Sequence, residues 1–253
     1  MEKSFDVKAV FVAVIVGVLL VLGIMLTTGD KYATPVLPFM AMLAGFIVTG
    51  LIVGFMSKGE TISEPGLASI VVGLIVYFVV PTFNLHCFIS LTGKTVSINL
   101  LLVVLNGIIL TFIGAWVGEK LQGTYENNQS SGTSLEWGYI IAGTVLGITI
   151  SMLFANLIIL IADASLSYLI FALLLGLGVT GFIIGLRSPG VTINEAIIAG
   201  IITVVLNLDI FKMSLDLNTD FLGKKWILLM VVLGTGVSFL GGFIGEKVQG
   251  NHE

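Results

Sequence analysis

Charged residues punctuate this chain at intervals that leave long uncharged apolar stretches between them, and the stretches set the architecture. A hydrocarbon core of about 30 Å needs roughly 20 apolar residues per helix. Dividing the chain on that basis predicts eight spans, near Ala9–Leu26, Val36–Met56, Ile62–Pro81, Val96–Gly118, Gly138–Ile161, Ser167–Leu186, Ile193–Leu208 and Trp226–Gly245. Pro35 and Pro38 suit the entrance to the second span, because the first turn of a helix leaves its N–H groups unpaired in any case. The seventh span is the shortest. Its uncharged stretch lies between Glu195 and Asp209, so the sequence expects those carboxylates near opposite interfaces, or else a re-entrant segment. Lys3 and Lys8 before the first apolar run imitate a signal peptide, but the run exceeds a usual h-region and no A-x-A site follows, so the segment is expected to stay attached.

The chain repeats itself. Ser57-Lys58-Gly59-Glu60-Thr61-Ile62-Ser63-Glu64 returns 131 residues later as Ser188-Pro189-Gly190-Val191-Thr192-Ile193-Asn194-Glu195. Both copies follow Thr-Gly-x-x-x-Gly, at Thr49–Gly54 and Thr180–Gly185. Gly-Glu-Lys-[Leu/Val]-Gln-Gly stands at Gly118–Gly123 and again 127 residues later at Gly245–Gly250. Two blocks in the same order at nearly one spacing indicate duplication. Ser4-Phe5-Asp6 then faces Ser134-Leu135-Glu136, and Gly17 faces Gly147. The expectation is an all-α integral membrane protein of eight transmembrane helices in two four-helix repeats, residues 1–123 and 134–253, joined by a polar linker at 124–133. Four spans per half return the chain to its starting side. The repeats are therefore expected to be parallel, about a pseudo-two-fold axis normal to the membrane.

Composition narrows the chemistry. Hydrophobic residues make up 57% and charged residues 10% of the 253, with 11 Lys+Arg against 15 Asp+Glu. A net charge of -4 offers no basic field for nucleic acid. Cys87 is alone, which excludes an internal disulfide, and the two histidines, His86 and His252, sit far apart in sequence outside the spans. Neither a metal cage nor a nucleophile with its base can be assembled from this set, and no nucleotide-binding or hydrolase motif occurs. No enzymatic activity, metal or cofactor is expected. No Asp, Glu, Lys, Arg or His stands at mid-span, which disfavours a proton relay or ion-coupled carrier.

Glycines mark the expected contacts. Gly45, Gly50 and Gly54, Gly176, Gly181 and Gly185, Gly107, Gly114 and Gly118, and Gly234, Gly241 and Gly245 give spans 2, 6, 4 and 8 small-residue faces for close approach. These four spans are expected to form the centre, with spans 1 and 5 toward lipid. Thr61 and Thr192 should cap the following helices, with Glu64 and Glu195 completing a capping box; the rival reading pairs the two carboxylates at a cation entrance. Glu119-Lys120 and Glu246-Lys247 are expected as interfacial anchors, the lysines snorkelling to water. The candidate polar pathway or entrance comprises Glu64, Glu195, Thr49, Thr180, Asn106, Glu119 and Glu246. Phe83–Leu91 and Phe211–Leu217 alternate with period two, a strand signal; the two segments are read either as independent irregular loops or as strands paired into a lid.

Tandem glycine-rich four-helix units with these turn and end motifs resemble uncharacterised prokaryotic membrane proteins grouped as a domain of unknown function. The resemblance implies a prokaryotic plasma membrane and no particular activity. Counting Lys and Arg in the first half, four against two, puts both termini in the cytoplasm. Two functional readings follow: a passive channel or facilitator for a small solute or ion, and a non-catalytic structural or accessory membrane subunit. Lipid is the expected environment, with a homo-oligomer or a membrane-complex subunit as the candidate partner.

Overall fold

The structure, a computed structural model, describes residues 5–28, 36–57, 62–83, 100–123, 135–162, 165–187, 192–214 and 224–249. Among them run eight α-helices: α1 (Val7–Thr28), α2 (Val36–Met56), α3 (Ser63–Val79), α4 (Leu100–Gln122), α5 (Trp137–Ile161), α6 (Leu166–Arg187), α7 (Thr192–Ser214) and α8 (Lys224–Gln249). A 3₁₀ turn, Val80–Phe83, extends α3. With that extension, all eight are long and apolar enough to cross a membrane. The chain is a polytopic all-α membrane protein. Helices are the natural outcome, because hydrocarbon cannot satisfy backbone N–H and C=O groups and a helix satisfies them internally.

The short seventh span is one continuous helix of 23 residues, about 34 Å at 1.5 Å per residue. Glu195 occupies its first turn and Asp209 lies exposed near its other end. The period-two signal after it is a misreading. Phe211–Ser214 form the last turn of α7, with Phe211 and Ser214 buried three residues apart, a spacing that a helix also produces. Phe83 closes the 3₁₀ turn. The rest of the expected lid, residues 84–91 and 215–217, lies outside the described residues, as does the expected linker at 124–133.

The chain forms two compact units, Met1–Tyr125 and Glu126–Glu253. In the first, α2 and α4 run parallel with their backbones in contact. A Cβ on Gly50 or Gly54 would overlap the carbonyls of Thr111 and Ala115, one on Gly114 would overlap that of Ile47, and one on Gly118 would come within 2.6 Å of the Leu51 carbonyl. α1 lies on this pair through Gly17 against Thr49 and through Val21 against Gly45, and α3 closes the bundle through Gly73 against Val104. Val21, Met25, Met42, Phe46, Val72, Val76, Val80, Val103 and Val104 make the buried core.

The second unit is built by the same kind of contact. α6 and α8 run parallel, with Gly181 on the Ser238 carbonyl, Gly185 on that of Gly242, Gly241 on that of Gly178 and Gly245 on that of Phe182. α5 meets α6 through Ser151 against Gly176, and α7 through Gly147 against Thr203. The face of α2 holding Gly50 and Gly54 thus meets the face of α4 holding Gly114 and Gly118, and Gly181 and Gly185 of α6 meet that of Gly241 and Gly245 of α8, while Gly45 receives α1, Gly176 receives α5 and Gly234 receives α7. The expectation that α5 is mainly lipid-facing is corrected: α5 buries 50% of its most apolar stretch, whereas α1 buries 39% and α8 28%. The cause is the small residues that α5 turns inward, Ala142, Gly143, Gly147, Ser151 and Ala155.

These contacts can be tested by adding one methyl group. Gly54→Ala and Gly185→Ala should each destabilise the protein in detergent by about 1–3 kcal/mol, the usual range for overpacking. Gly23→Ala and Gly236→Ala, where an added Cβ meets nothing within 4 Å, should leave the thermal midpoint unchanged or slightly raised. Equal effects at all four positions would contradict the backbone contacts.

Candidate functional site

Two groups of polar side chains stand out from the apolar framework. The first lies where helices begin. Glu64, in the first turn of α3, is buried; the α3 N-cap is Ile62, in helical conformation and without a side-chain cap, and Thr61, the expected cap, lies outside the described residues. Glu64 Oε1 accepts the backbone N–H of Asp6 at 3.4 Å, and Oε2 accepts the Ser63 hydroxyl at 2.9 Å. Asp6 precedes α1 and its Oδ1 accepts the Ala9 N–H at 3.0 Å. The reciprocal pair of a capping box is therefore split between two helices. Asp6 supplies the cap, and the carboxylate that satisfies the N-cap N–H comes from α3.

In the second unit Glu136 is the N-cap of α5, and its N–H donates to Oε1 of buried Glu195, in the first turn of α7, at 2.9 Å. Glu64 and Glu195 thus join the first helix of each unit to the third. Tyr139 lies buried within electrostatic reach of Glu136, Glu195 and Arg187. At the same registers the first unit has Ala9 in place of Tyr139 and Met56 in place of Arg187.

The other predicted residues differ in their surroundings. Glu119 and Lys120 are buried in the last turn of α4, whereas Lys247 is exposed and Glu246 half-buried near the end of α8. Thr49 is buried against Gly17 and donates to the Gly45 carbonyl at 2.9 Å. Asn106 lies on the outer surface of α4, donating to the Leu102 carbonyl at 2.8 Å. It shares no path with Thr49. An open hollow of about 550 Å³ beside Tyr77, Phe78, Pro81, Leu100 and Leu101 has a mostly apolar lining.

The second polar group is the interior of the second unit. Most hydroxyls within the helices donate back one turn: Thr111 to Gly107, Thr144 to Ile140, Thr149 to Val145 and Ser214 to Ile210. Ser151, Thr180 and Thr203 do not. Their buried hydroxyl oxygens lack a partner, as do Oδ1 of Asn207 and the Thr235 hydroxyl. Among the described residues, five of the six such atoms lie in this unit, the sixth being Ser57 Oγ. Leaving a buried polar group unsatisfied costs about 1–3 kcal/mol, so the concentration is expensive. Of these residues the sequence marks Thr180 as a pathway candidate; the shared lack of partners is visible only in three dimensions.

At three of the four matching places the first unit has valine; the fourth, Thr49 at the register of Thr180, bonds back to the Gly45 carbonyl. Thr203 and Asn207 follow Val72 and Val76 by 131 residues, the spacing of Glu64 and Glu195, and Ser151 follows Val21 by 130, the spacing of Asp6 and Glu136. The contacts agree with those registers. Gly45 abuts Val21 where Gly176 abuts Ser151, and Gly17 abuts Val72 where Gly147 abuts Thr203. Val21, Val72 and Val76 are all fully buried.

Comparison with known proteins supplies no name for this arrangement: no family model, no curated protein and no solved structure matches the chain. The described residues contain no cluster of three or more His, Cys, Asp or Glu able to hold a metal ion.

The split caps predict a clear substitution pattern. Glu195→Leu removes the acceptor of the Glu136 N–H, and should lower stability in detergent by about 1–3 kcal/mol and speed amide exchange at Glu136. Glu195→Gln keeps an acceptor oxygen and should cost less. Equal amide protection at Glu136 in both variants would show that the carboxylate does not hold α5.

Proposed function

We propose that this chain is a multi-pass protein of a prokaryotic plasma membrane that gives a small neutral solute a passive path, and that its two units are parallel repeats with both termini in the cytoplasm. The repeat reading is supported by the contact-for-contact agreement of the two units: the glycine pairs, the split caps and the contacts of α1 and α5 all recur at the spacings of the sequence blocks.

The observation that carries the facilitator reading is the set of unpartnered oxygens on Ser151, Thr180, Thr203 and Asn207 inside the second unit. Polar groups within a membrane protein's interior characteristically mark a pathway or ligand site. These are hydroxyl and amide groups without charge, and no ionisable residue stands at that depth, so the favoured passenger is uncharged and no ion gradient drives it. The entrance assignment for Glu64 and Glu195 is weakened, since both carboxylates are engaged with helix starts.

A structural or accessory role is the second reading. It is favoured by the interlocked glycine backbones and the valine interior of the first unit. Vesicles separate the two. Purified protein in liposomes should speed osmotic shrinkage, or the re-swelling driven by glycerol or urea entry, above the rate of empty vesicles, with no change in sodium or potassium conductance. Rates equal to those of empty vesicles for water, glycerol and urea, with the protein folded, would remove the facilitator reading and leave the accessory one.

A further inference from the structure

Four of the five unpartnered oxygens of the second unit, all but that of Thr235, form one place rather than scattered defects. α5 and α7 run in the same direction, since Glu195 in the first turn of α7 holds the start of α5. Thr203 lies against Gly147, where an added Cβ would come within 2.6 Å of its hydroxyl oxygen. Ser151 follows Gly147 by one turn, and Asn207 follows Thr203 by one turn, so Ser151 and Asn207 share a level. Gly176 of α6 packs on Ser151. Thr180 is one turn further along α6, which runs the opposite way, and so returns to the level of Thr203. Two adjacent layers at the middle of the bundle, Thr180 with Thr203 and Ser151 with Asn207, therefore hold four of the five unpartnered groups.

Their chemistry specifies an occupant. Asn207 commits Nδ2 to the Thr203 carbonyl at 3.0 Å, which turns Oδ1 into a bare acceptor. The three hydroxyls each offer a donor and an acceptor. No charge stands beside them to balance an ion. A molecule that both donates and accepts, is neutral and makes two to four hydrogen bonds fits this set, and water has those properties. Val21, Val72 and Val76 of the first unit show that this bundle can be built without the polar groups of Ser151, Thr203 and Asn207.

We infer that the second unit holds an internal water site between α5, α6 and α7, formed by Ser151, Thr180, Thr203 and Asn207, and that the first unit is its dry counterpart. The inference deepens the facilitator reading and rests on it for function only: it places the neutral passenger's binding point inside one unit and not between the two.

Radiolytic footprinting of the intact protein in detergent tests the site without reference to transport. Short X-ray pulses generate hydroxyl radicals from bound water, and these oxidise nearby methionine to the sulfoxide. Met152 adjoins Ser151 and is 1% exposed, while Met25 and Met42 of the valine core are 1% and 0% exposed. Bulk solvent reaches all three equally poorly. Met152 should be oxidised several-fold faster than Met25 and Met42, and the combined variant Ser151→Val, Thr203→Val and Asn207→Val should bring it down to their rate. A Met152 rate no higher than theirs in the unaltered chain overturns the inference, and so does a rate undiminished in a folded valine variant. Should that variant fail to fold, the comparison within the unaltered chain still decides. Rapid Met152 oxidation without vesicle flux would keep the site and remove the path; flux with a protected Met152 would remove the site alone.

Discussion

Helices in lipid gain nothing from hiding apolar surface from one another, so a membrane bundle needs another source of cohesion. Here it is contact between a glycine Cα and a carbonyl oxygen of the neighbouring helix. Gly50, Gly54, Gly114 and Gly118 bring α2 and α4 together, and Gly181, Gly185, Gly241 and Gly245 do the same for α6 and α8. At that separation the Cα–H groups lie against carbonyls, adding weak polar attraction to dispersion over the whole crossing. Because each pair is parallel, the chain must cross the bundle between its members. α3 and α7 supply the crossings, and so occupy fixed places beside α1 and α5.

That arrangement explains the split caps. A crossing helix that starts at the same end as the first helix of its unit brings its own first turn next to the other's N-terminus, where the backbone N–H groups are unpaired. A glutamate there can satisfy a neighbour's N–H and the positive end of its dipole together. Glu64 does so for Asp6, and Glu195 for Glu136. The carboxylate thus fixes the relative height of the two helices, while the glycine pairs fix the separation of the other two.

The sequence makes some of this legible and hides the rest. Spans and their ends follow from the bilayer's thickness and from charge, a one-dimensional requirement, so α2 begins and ends where the pattern places it. Small residues four apart mark a face that will be approached closely. They do not say by which helix, and α5 buries more than expected because Gly143, Gly147 and Ser151 receive α6 and α7. Thr-x-x-Glu has the local form of a capping box, and nothing in it marks the N–H that its glutamate accepts 58 residues away in the first unit and 59 in the second. Phe211 to Ser214 is too short to distinguish period two from one turn of helix. A hydroxyl's failure to bond back along its own helix leaves no mark in the sequence.

A fold held by backbone contact leaves its interior side chains comparatively free. α1 and α3 pack on a spine already joined through glycines, and α5 and α7 on another, so what they turn inward can change without altering the spine. Valine at Val21, Val72 and Val76 completes a close-packed interior and is the economical solution in lipid. Ser151, Thr203 and Asn207 replace it with oxygens that the protein itself does not satisfy. Thr203 and Val72 have nearly the same shape, so packing does not require the hydroxyl; the two differ in the hydrogen bond that the threonine holds open. Polar atoms kept at that cost, in a scaffold that has a working apolar alternative, are better explained by what they bind than by what they support.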